Sequence, residues 1–342
     1  MKRFIIIVIL AAVAAALVCE KKGDTWEEGI RNALYATKGD SVPDFDPVTI
    51  DSLQIPFVTY ATENGITAGK QYNATIVANY ALDYYSQYEM QKDAASKTAF
   101  MHCAQWLLDT MSQKDGYALF EFHWQQPWYD SVKAPFTCGM TSGLTMEVFA
   151  KANQLQADTV WTNAIEQLLK GYEVPVEQGG FTFIEPTGYW YEEIADSAGH
   201  TPRILDGHIF ALLGAKYVAD HLKIPIAEGL FIQGLQSLKY YLPQYDAGHG
   251  AIYYDKYKKV ADKKYQRLLI AQMQQLWTIT GDSVYLKYHD EWKAPSEQPY
   301  VLRMAKQRNI SGFVLFGCLL LSAFIVLVLL AAMFLKLRKR RK

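Results

Sequence analysis

The sequence carries almost no net charge. Its 342 residues include 34 Lys and Arg against 35 Asp and Glu, which gives a formal net charge of −1 at pH 7. Proteins that bind nucleic acid usually gather an excess of basic residues on one face. We therefore expect no nucleic-acid partner for this chain.

Cysteine is scarce as well. Of four cysteines, only Cys103 and Cys138 lie outside the apolar ends of the chain. These two could form a disulfide in an oxidising compartment, or both could be small buried residues. Histidines are scattered without the spacing of metal ligands, as five of them show: His102, His123, His208, His221 and His289. The sequence therefore predicts neither a metal site nor a cofactor.

Long apolar runs stand at the two ends of the chain. Residues 4–18 follow a basic start, which is the pattern of a secretory signal, so we expect residues 1–19 to be a signal peptide. Residues 310–335 are long enough to cross a bilayer about 30 Å thick as a helix. The basic tail after them, residues 336–342, is of the kind that stays in the cytoplasm. These patterns predict a single-pass membrane protein with a C-terminal anchor, whose remaining chain is extracytoplasmic or lumenal.

The chain between these ends has about 290 residues, enough for one large domain or two modest ones. Residues 48–50 and 55–60 have the composition of short strands, and a proline interrupts the second. We expect residues 20–70 to form an N-terminal arm of short extended pieces. We expect a larger domain over residues 71–300.

Helical periodicity dominates from residue 73 onward. The predicted helices cover residues 75–88, 95–111, 140–155, 158–172, 206–222, 227–242, 267–279 and 282–292, with acidic N-caps at Asp158 and Asp282. They form four hairpins that repeat every 60 to 65 residues or so. Such hairpins stack on one another to bury their apolar faces. The pattern predicts an all-α fold, either an (α/α) toroid or an open solenoid, with the long loops 113–139, 174–205 and 243–265 on one face.

Aromatic and acidic residues meet in the second of these loops, at Tyr189-Trp190-Tyr191-Glu192-Glu193. Aromatic side chains can stack on a sugar ring, and paired carboxyls can move a proton. The same residues would equally suit a small aromatic core with solvated acids. In the first loop, Trp124, Trp128 and Tyr129 could also stack on a sugar or could close the end of the barrel.

Two further loop segments carry candidate functional residues. Residues 136–143 run directly into a helix, so they could bind an anion at its N-terminus or let another helix pack closely at Gly143. Tyr265 is flanked by Lys263, Lys264 and Arg267. Cations beside a phenol lower its pKa, so we expect Tyr265 to be a good base, or the cations to bind an acidic sugar.

Four ordered segments make residues 136–292 resemble the C-terminal domain of D-glucuronyl C5-epimerases, which convert glucuronate to iduronate in heparan-type chains. The segments are residues 139–143, 190–193 and 242–253, and then Tyr265 with Gln272 and Leu276. The resemblance implies an (α/α) toroid that acts on an acidic polysaccharide without a cofactor. Animal members have additional β domains and dimerise through parts absent here, so a homodimer is left open.

The resemblance also implies roles for individual residues. It places the catalytic glutamate at Glu193 and two catalytic tyrosines at Tyr253 and Tyr265. Asp206 stands where the family has an asparagine, and Lys256 where it has an arginine near the substrate. We expect Lys256 and Arg267 near the sugar carboxylate, with Trp190 and Tyr191 as further substrate contacts. One departure is Ile194, which occupies the position of a third family tyrosine.

Three functions are compatible with these residues. Inverting C5 of a hexuronate removes a proton from one face of the ring and returns one to the other, so an epimerase needs two acid/base groups. Proton removal at C5 also begins β-elimination, so a uronate lyase is an alternative. The isoleucine in place of a family tyrosine leaves room for a membrane-tethered glycan-binding protein without catalysis.

Overall fold

The computed structural model describes residues 2–36 and 48–340, and the chain is mostly helical. The helices are α1 (Lys2–Ala36), α2 (Ala74–Gln91), α3 (Ala94–Thr110), α4 (Gly139–Leu155), α5 (Thr159–Gly171), α6 (Leu205–Leu222), α7 (Pro225–Tyr241), α8 (Lys263–Thr280), α9 (Ser283–Lys293), α10 (Tyr300–Lys306) and α11 (Ile310–Arg340). All eight helices predicted between residues 75 and 292 are confirmed, with ends that differ by a few residues.

The strands are short and all pair antiparallel. They are β1 (Val48–Ile50), β2 (Pro56–Glu63), β3 (Ile66–Gln71), β4 (Ser112–Gln113), β5 (Ala118–Leu119), β6 (Glu121–Phe122), β7 (Phe136–Thr137), β8 (Thr182–Glu185), β9 (Gly188–Tyr191), β10 (Asp246–Gly248) and β11 (Ala251–Ile252). The first three form one sheet in the order β1-β2-β3, with Val58 opposite both Val48 and Gln71. The others form two-stranded pairs within the long loops.

The chain divides into two compact units. We call residues 43–247 and 252–286 the hairpin unit, and residues 1–42, 248–251 and 287–342 the helix-pair unit. Where we expected residues 20–70 to be short extended pieces, the strands β1 to β3 are present, but α1 continues to Ala36. No proline interrupts the sequence from residue 20 to residue 36, so the helix has no strong reason to stop at the end of the apolar run.

Acidic and amide side chains fix the starts of the helices in the hairpin unit. The Asp158 side chain accepts a hydrogen bond from the amide of Val160, which confirms the predicted cap of α5. Asp282 likewise accepts from the amide of Val284 at the start of α9. Asn73, Asp93 and Asp262 cap α2, α3 and α8 in the same way. Each cap satisfies amides that a helix leaves without intrahelical partners.

The first helices of successive hairpins pack side by side, α2 with α4, α4 with α6 and α6 with α8. Gly143 and Gly214 make the α4–α6 contact close. A Cβ atom at Gly214 would lie 2.3 Å from the carbonyl oxygen of Gly143, and one at Gly143 would lie 2.7 Å from the carbonyl oxygen of Phe210. Of the two interpretations of residues 136–143, the structure therefore favours close helix packing at Gly143.

The three long loops lie together. The amide of Thr137 donates to Ala195, which joins the first loop to the second. The amide of Lys256 donates to Pro202, and that of Leu205 to Tyr254, which joins the second loop and the start of α6 to the third. Cys138 and Cys103 are both buried and both free, so the predicted alternative of small buried residues holds.

Two helices of the helix-pair unit are long and apolar enough to cross a membrane, over Phe4–Glu27 and Ile310–Arg338. They correspond to the predicted signal peptide and the predicted transmembrane helix. Length and composition are all that this observation covers, and residues 341–342 of the basic tail lie outside the described residues.

Candidate active site

The loops of the hairpin unit enclose a cavity of about 270 Å³. Its lining includes an acid, two aliphatic side chains, three tyrosines and a lysine, namely Glu193, Ile194, Ile204, Tyr129, Tyr254, Tyr265 and Lys259. Trp128 and Glu63 complete it. All three long loops contribute, and Tyr265 comes from the first turn of α8. Glu193 and Tyr265, both predicted to be catalytic, line this cavity.

Glu193 follows β9 and packs on the first turn of α6. A Cβ atom at Gly207 would lie 2.4 Å from both the Cβ and the Oε2 of Glu193, so only glycine leaves room for this carboxyl. Its Oε2 is buried and has no hydrogen-bond partner among the described residues. Burial, followed by the nearby Asp206 and Glu192, raises the pKa of Glu193 well above its ordinary value. This carboxyl is therefore positioned by close packing and is a stronger base when ionised than an exposed glutamate.

Asp206 lies behind Glu193 in the first turn of α6. The residue is 2 % exposed, and burial raises its pKa to about 7 even though the Tyr254 hydroxyl hydrogen-bonds to it. Asp206 does not line the cavity, so it is not placed to contact a ligand directly. Two acids this close disfavour each other's ionisation, and near pH 7 the pair carries fewer than two negative charges.

Tyr254 and Tyr265 form a hydrogen-bonded pair of phenols beside these acids, with ring centroids 4.7 Å apart. Burial, together with the charges of Glu193 and Asp206, raises the pKa of both hydroxyls. The expected lowering of the Tyr265 pKa by its flanking cations is therefore wrong, because burial and the two acids outweigh them. Both phenols are neutral proton donors at physiological pH.

Tyr253, predicted to be catalytic, is not brought to the cavity. Successive side chains of an extended segment point to opposite sides. Ile252 is fully buried, and Tyr254, two residues on, lines the cavity. Tyr253 points away, with its ring 5.7 Å from the Nζ of Lys258. The alternation itself was visible in the sequence, but which of the two tyrosines faces inward was not.

Trp190 and Tyr191, predicted to contact substrate, are core residues. Both are fully buried. The Trp190 ring stacks on His208 at 4.1 Å and on Tyr245 at 5.8 Å, and the Tyr191 hydroxyl donates to the Leu230 carbonyl at 2.8 Å. The structure therefore supports the alternative of an aromatic core at this position. Burial lowers the pKa of His208 to about 3, so this histidine is neutral.

The predicted cationic contacts also lie elsewhere. Lys256 and Arg267 are exposed, and neither lines the cavity. Lys259, three residues after Lys256, does line it, and its carbonyl accepts a hydrogen bond from the Tyr254 amide at 2.6 Å. This contact ties the lysine to the tyrosine in one turn of the third loop.

Tyr129, one of the aromatics for which two roles were left open, also lines the cavity. Its hydroxyl donates to Asp255 at 2.8 Å, which joins the first and third loops. Trp124 instead stacks on Tyr60, with ring centroids 5.0 Å apart. The part of this aromatic cluster that reaches the cavity is Trp128 with Tyr129.

Glu192 and Glu193 separate into two environments. Glu192 is fully buried and accepts a hydrogen bond from the Arg203 amide at 3.0 Å, with the Arg203 Nε 4.0 Å from its other oxygen. Arg203 also pairs with Glu185. Burial raises the pKa of Glu192 to about 8, and Arg203 opposes that shift. Glu192 therefore stabilises the second loop through Arg203, while Glu193 lines the cavity.

A metal ion has no evident site in the part of the chain that the structure describes, since no three His, Cys, Asp or Glu side chains converge there. Among the polar groups that line the cavity, Glu193 lies beside the paired phenols of Tyr254 and Tyr265. Such a set can remove and supply protons and can bind hydroxyl groups.

A known protein family matches the part of the chain that contains most of the cavity-lining residues. The family model described as D-glucuronyl C5-epimerase C-terminus matches residues 113–294, slightly more than half of the chain. The match contains Tyr129, Glu193, Tyr254, Lys259 and Tyr265.

Individual relatives are more distant. An uncharacterized protein of Methanocaldococcus jannaschii is 27 % identical over 265 residues, which cover 72 % of this chain and 85 % of that protein. The D-glucuronyl C5-epimerase of Caenorhabditis elegans is 25 % identical over 231 residues. That match covers 62 % of this chain but 34 % of the nematode enzyme, so the chain spans about a third of it.

A solved structure described as a sugar epimerase from a ruminal bacterium shares the fold. The TM-score is 0.52 at 12 % identity, over 86 % of this chain and 75 % of that one. Together with the family match, these findings confirm the resemblance inferred from the four ordered segments: the chain belongs to the D-glucuronyl C5-epimerase C-terminal domain family.

Proposed function

We propose that this protein inverts C5 of hexuronate residues in an acidic polysaccharide, converting D-glucuronate to L-iduronate. The observation that carries the proposal is the cavity in which Glu193 faces the phenol pair Tyr254 and Tyr265. A buried carboxyl and neutral phenols supply the base and the acid that C5 inversion needs.

Ionised Glu193 takes the C5 proton in the first step, and the electron pair left at C5 delocalises into the sugar carboxylate. A phenol of the Tyr254–Tyr265 pair then gives a proton to the opposite face of C5. Exchange of protons with water returns the carboxyl and the phenol to their starting states. Either phenol of the pair could be the donor, because a hydrogen bond links them.

The intermediate of this reaction concentrates negative charge on the sugar carboxylate. Lys259 is the lysine that lines the cavity, and we assign it to that carboxylate in place of Lys256 and Arg267. The raised carboxyl pKa values around Glu193 and Asp206 also reduce the negative charge that an anionic sugar meets.

We also propose an architecture for the hairpin unit and a membrane location for the protein. The successive packing of α2, α4, α6 and α8 suits an (α/α) toroid whose loops gather at one end. We propose that α11 holds this domain at a membrane, with the cavity on the extracytoplasmic or lumenal side.

The proposal is tested with the full chain in detergent, heparosan and related uronate polymers, and deuterated water. Proton NMR should show loss of the H5 signal as deuterium enters C5, with no increase in ultraviolet absorbance. Rising absorbance would reveal the unsaturated product of a lyase. Absence of exchange on every uronate polymer would favour a non-catalytic glycan-binding protein.

A further inference from the structure

One face of α1 is lined by small residues and is buried. Ala11, Ala15 and Cys19 are each at most 1 % exposed, and Gly23 and Glu27 continue the same spacing of four residues. Residues four apart lie on one side of a helix. The N-terminal apolar helix therefore has a defined packing face.

That face packs along α11. The Phe4 and Phe324 rings are 5.8 Å apart, and Cys19 lies in a buried cluster with Tyr300, Met304 and Leu315. A Cβ atom at Gly23 would lie 2.6 Å from the Tyr300 ring. Small residues at these positions allow close approach, as they do between helices in membranes.

Polar bonds join the C-terminal part of α1 to α10 and to Asn309, the residue before α11. Glu27, 4 % exposed, accepts from the Tyr300 hydroxyl at 2.8 Å and from the Asn309 side chain at 2.7 Å. Arg303 pairs with Asp24 at 2.5 Å. We call these five residues the polar clasp. The clasp and the Phe4–Phe324 contact lie at opposite ends of an antiparallel helix pair.

The outer faces of this pair are apolar. Ile9 and Leu17 on α1 are 56 % and 61 % exposed, and Leu329 and Phe334 on α11 are 64 % and 66 % exposed. Exposing such side chains to water is unfavourable in proportion to their apolar surface. A lipid bilayer removes that cost.

Basic residues stand at the end of the pair opposite the clasp. Lys2 and Arg3 precede the apolar run of α1, and residues 336–342 follow that of α11. Because the helices are antiparallel, both basic segments lie on one side of a bilayer that the pair crosses. Lysine and arginine are enriched on the cytoplasmic side of membrane helices.

We propose that α1 is retained in the mature protein as a second membrane-spanning helix that pairs with α11, instead of being a cleaved signal peptide. The basic residues next to the two apolar runs are then cytoplasmic, and the clasp lies at the opposite membrane surface. The run of 15 apolar residues from Phe4 to Val18 spans about 23 Å as a helix, less than a bilayer of about 30 Å. Local thinning of the bilayer accommodates an apolar helix of this length.

The direct test is the N-terminus of the mature full-length protein, carrying a C-terminal tag and purified from membranes. Intact mass should include residues 2–19, and the protein should stay in the membrane pellet after an alkaline wash. An N-terminus beginning after residue 16 or residue 19 would overturn the proposal. This readout does not depend on enzymatic activity, so it is independent of the proposed function.

A cross-linking pair tests the packing. Phe4→Cys with Phe324→Cys should react with a short bifunctional thiol reagent, in a background where Cys19 and Cys318 are alanine. The matched control pairs Phe4→Cys with Ile325→Cys, since Ile325 is 49 % exposed on another face of α11. Equal yields from the two pairs, or none from the first, would contradict the helix pairing.

A glycine pair tests the close approach. Gly23→Leu should lower the Phe4–Phe324 cross-linking yield several-fold because the new side chain meets the Tyr300 ring. Gly29→Leu is the control, because nothing lies within 4 Å of a Cβ atom there. An equal yield in both variants would overturn the assignment of this face.

Discussion

Tyr253 and Tyr254 are consecutive residues with different surroundings. The first points toward Lys258, while the second contacts Tyr265 and lines the cavity. Tyr254 hydrogen-bonds to both Asp206 and Tyr265, so its hydroxyl is needed whichever phenol of the pair gives the proton. We predict that Tyr254→Phe slows C5 proton exchange by about 10² to 10⁴, the usual range for losing a general acid or base. Tyr253→Phe is the matched control and should keep most of the rate. The rate of deuterium entry into C5 measures both, and the reverse ranking would restore Tyr253 as the catalytic residue.

Glu192 makes the stability of the fold depend on pH. Its pKa is about 8 when folded and about 4.3 in an unfolded chain. Between these values the folded state holds the extra proton, so the free energy of unfolding falls as pH rises, by at most about 1.4 kcal/mol per pH unit from this group. Glu192→Gln should remove that contribution and be more stable than the native chain at pH 8.

Urea unfolding of the full chain in detergent, followed by tryptophan fluorescence from pH 5 to pH 8, checks this prediction. Glu177→Gln is the control, because Glu177 is exposed. If Glu192→Gln kept the native slope, burial of an ionisable proton at residue 192 would be contradicted.

How much of the site was predictable differs from residue to residue. Glu193 and Tyr265 were placed by the resemblance to the epimerase family, because they stand in two of its ordered segments. Three features were not predictable, because they depend on contacts between loops that are distant in sequence. They are the burial of Trp190, the orientation of the Tyr254 side chain toward the cavity, and the position of Lys259 in the cavity lining. Gly207 is a sequence signal for the site, since a glycine in the first turn of a helix can mark a position where another side chain packs closely. Here that side chain is Glu193.

At the scale of elements, the contact between α4 and α6 depends on two glycines. Gly214→Ala should destabilise the hairpin unit by about 1 to 3 kcal/mol, because its Cβ would meet the Gly143 backbone within 2.5 Å. Gly229→Ala, in α7, is the control, since a Cβ atom there meets nothing within 4 Å. That change should stabilise by up to about 1 kcal/mol through helix propensity. Thermal unfolding followed by circular dichroism measures both, and similar Tm values would contradict the role of Gly214.

The helices themselves were predictable because their signals are local. Apolar spacing and caps such as Asp158 and Asp282 lie within a few residues of the helix that they define. The two-residue strand pairs in the loops, β4 with β5 and β6 with β7, were not predicted, because two residues are too few to show a strand's alternating pattern. The packing of α1 was not predicted either, because its composition indicates a leader while its contacts with α11 indicate a packed helix.

At the scale of the whole molecule, the chain combines an apolar helix pair, proposed to be a membrane anchor, with a family domain whose cavity is proposed to transfer protons. With the proposed anchor, we expect the proposed enzyme to act on polymers that reach the membrane surface. The cavity of about 270 Å³ has room for roughly one sugar residue, since small-molecule pockets start near 300 Å³. Under the proposed function, we expect a polymer to present single uronate units to the loops in turn.

The measurement that tests this account most directly is deuterium entry at C5 of heparosan, compared between the native chain and Glu193→Gln. The native chain should exchange H5, and the variant should exchange it at least about 10² times more slowly, because its amide cannot accept the C5 proton. Glu192→Gln, measured in parallel at a pH where it is stably folded, should retain exchange. Full exchange by Glu193→Gln would contradict the central claim that this carboxyl is the base.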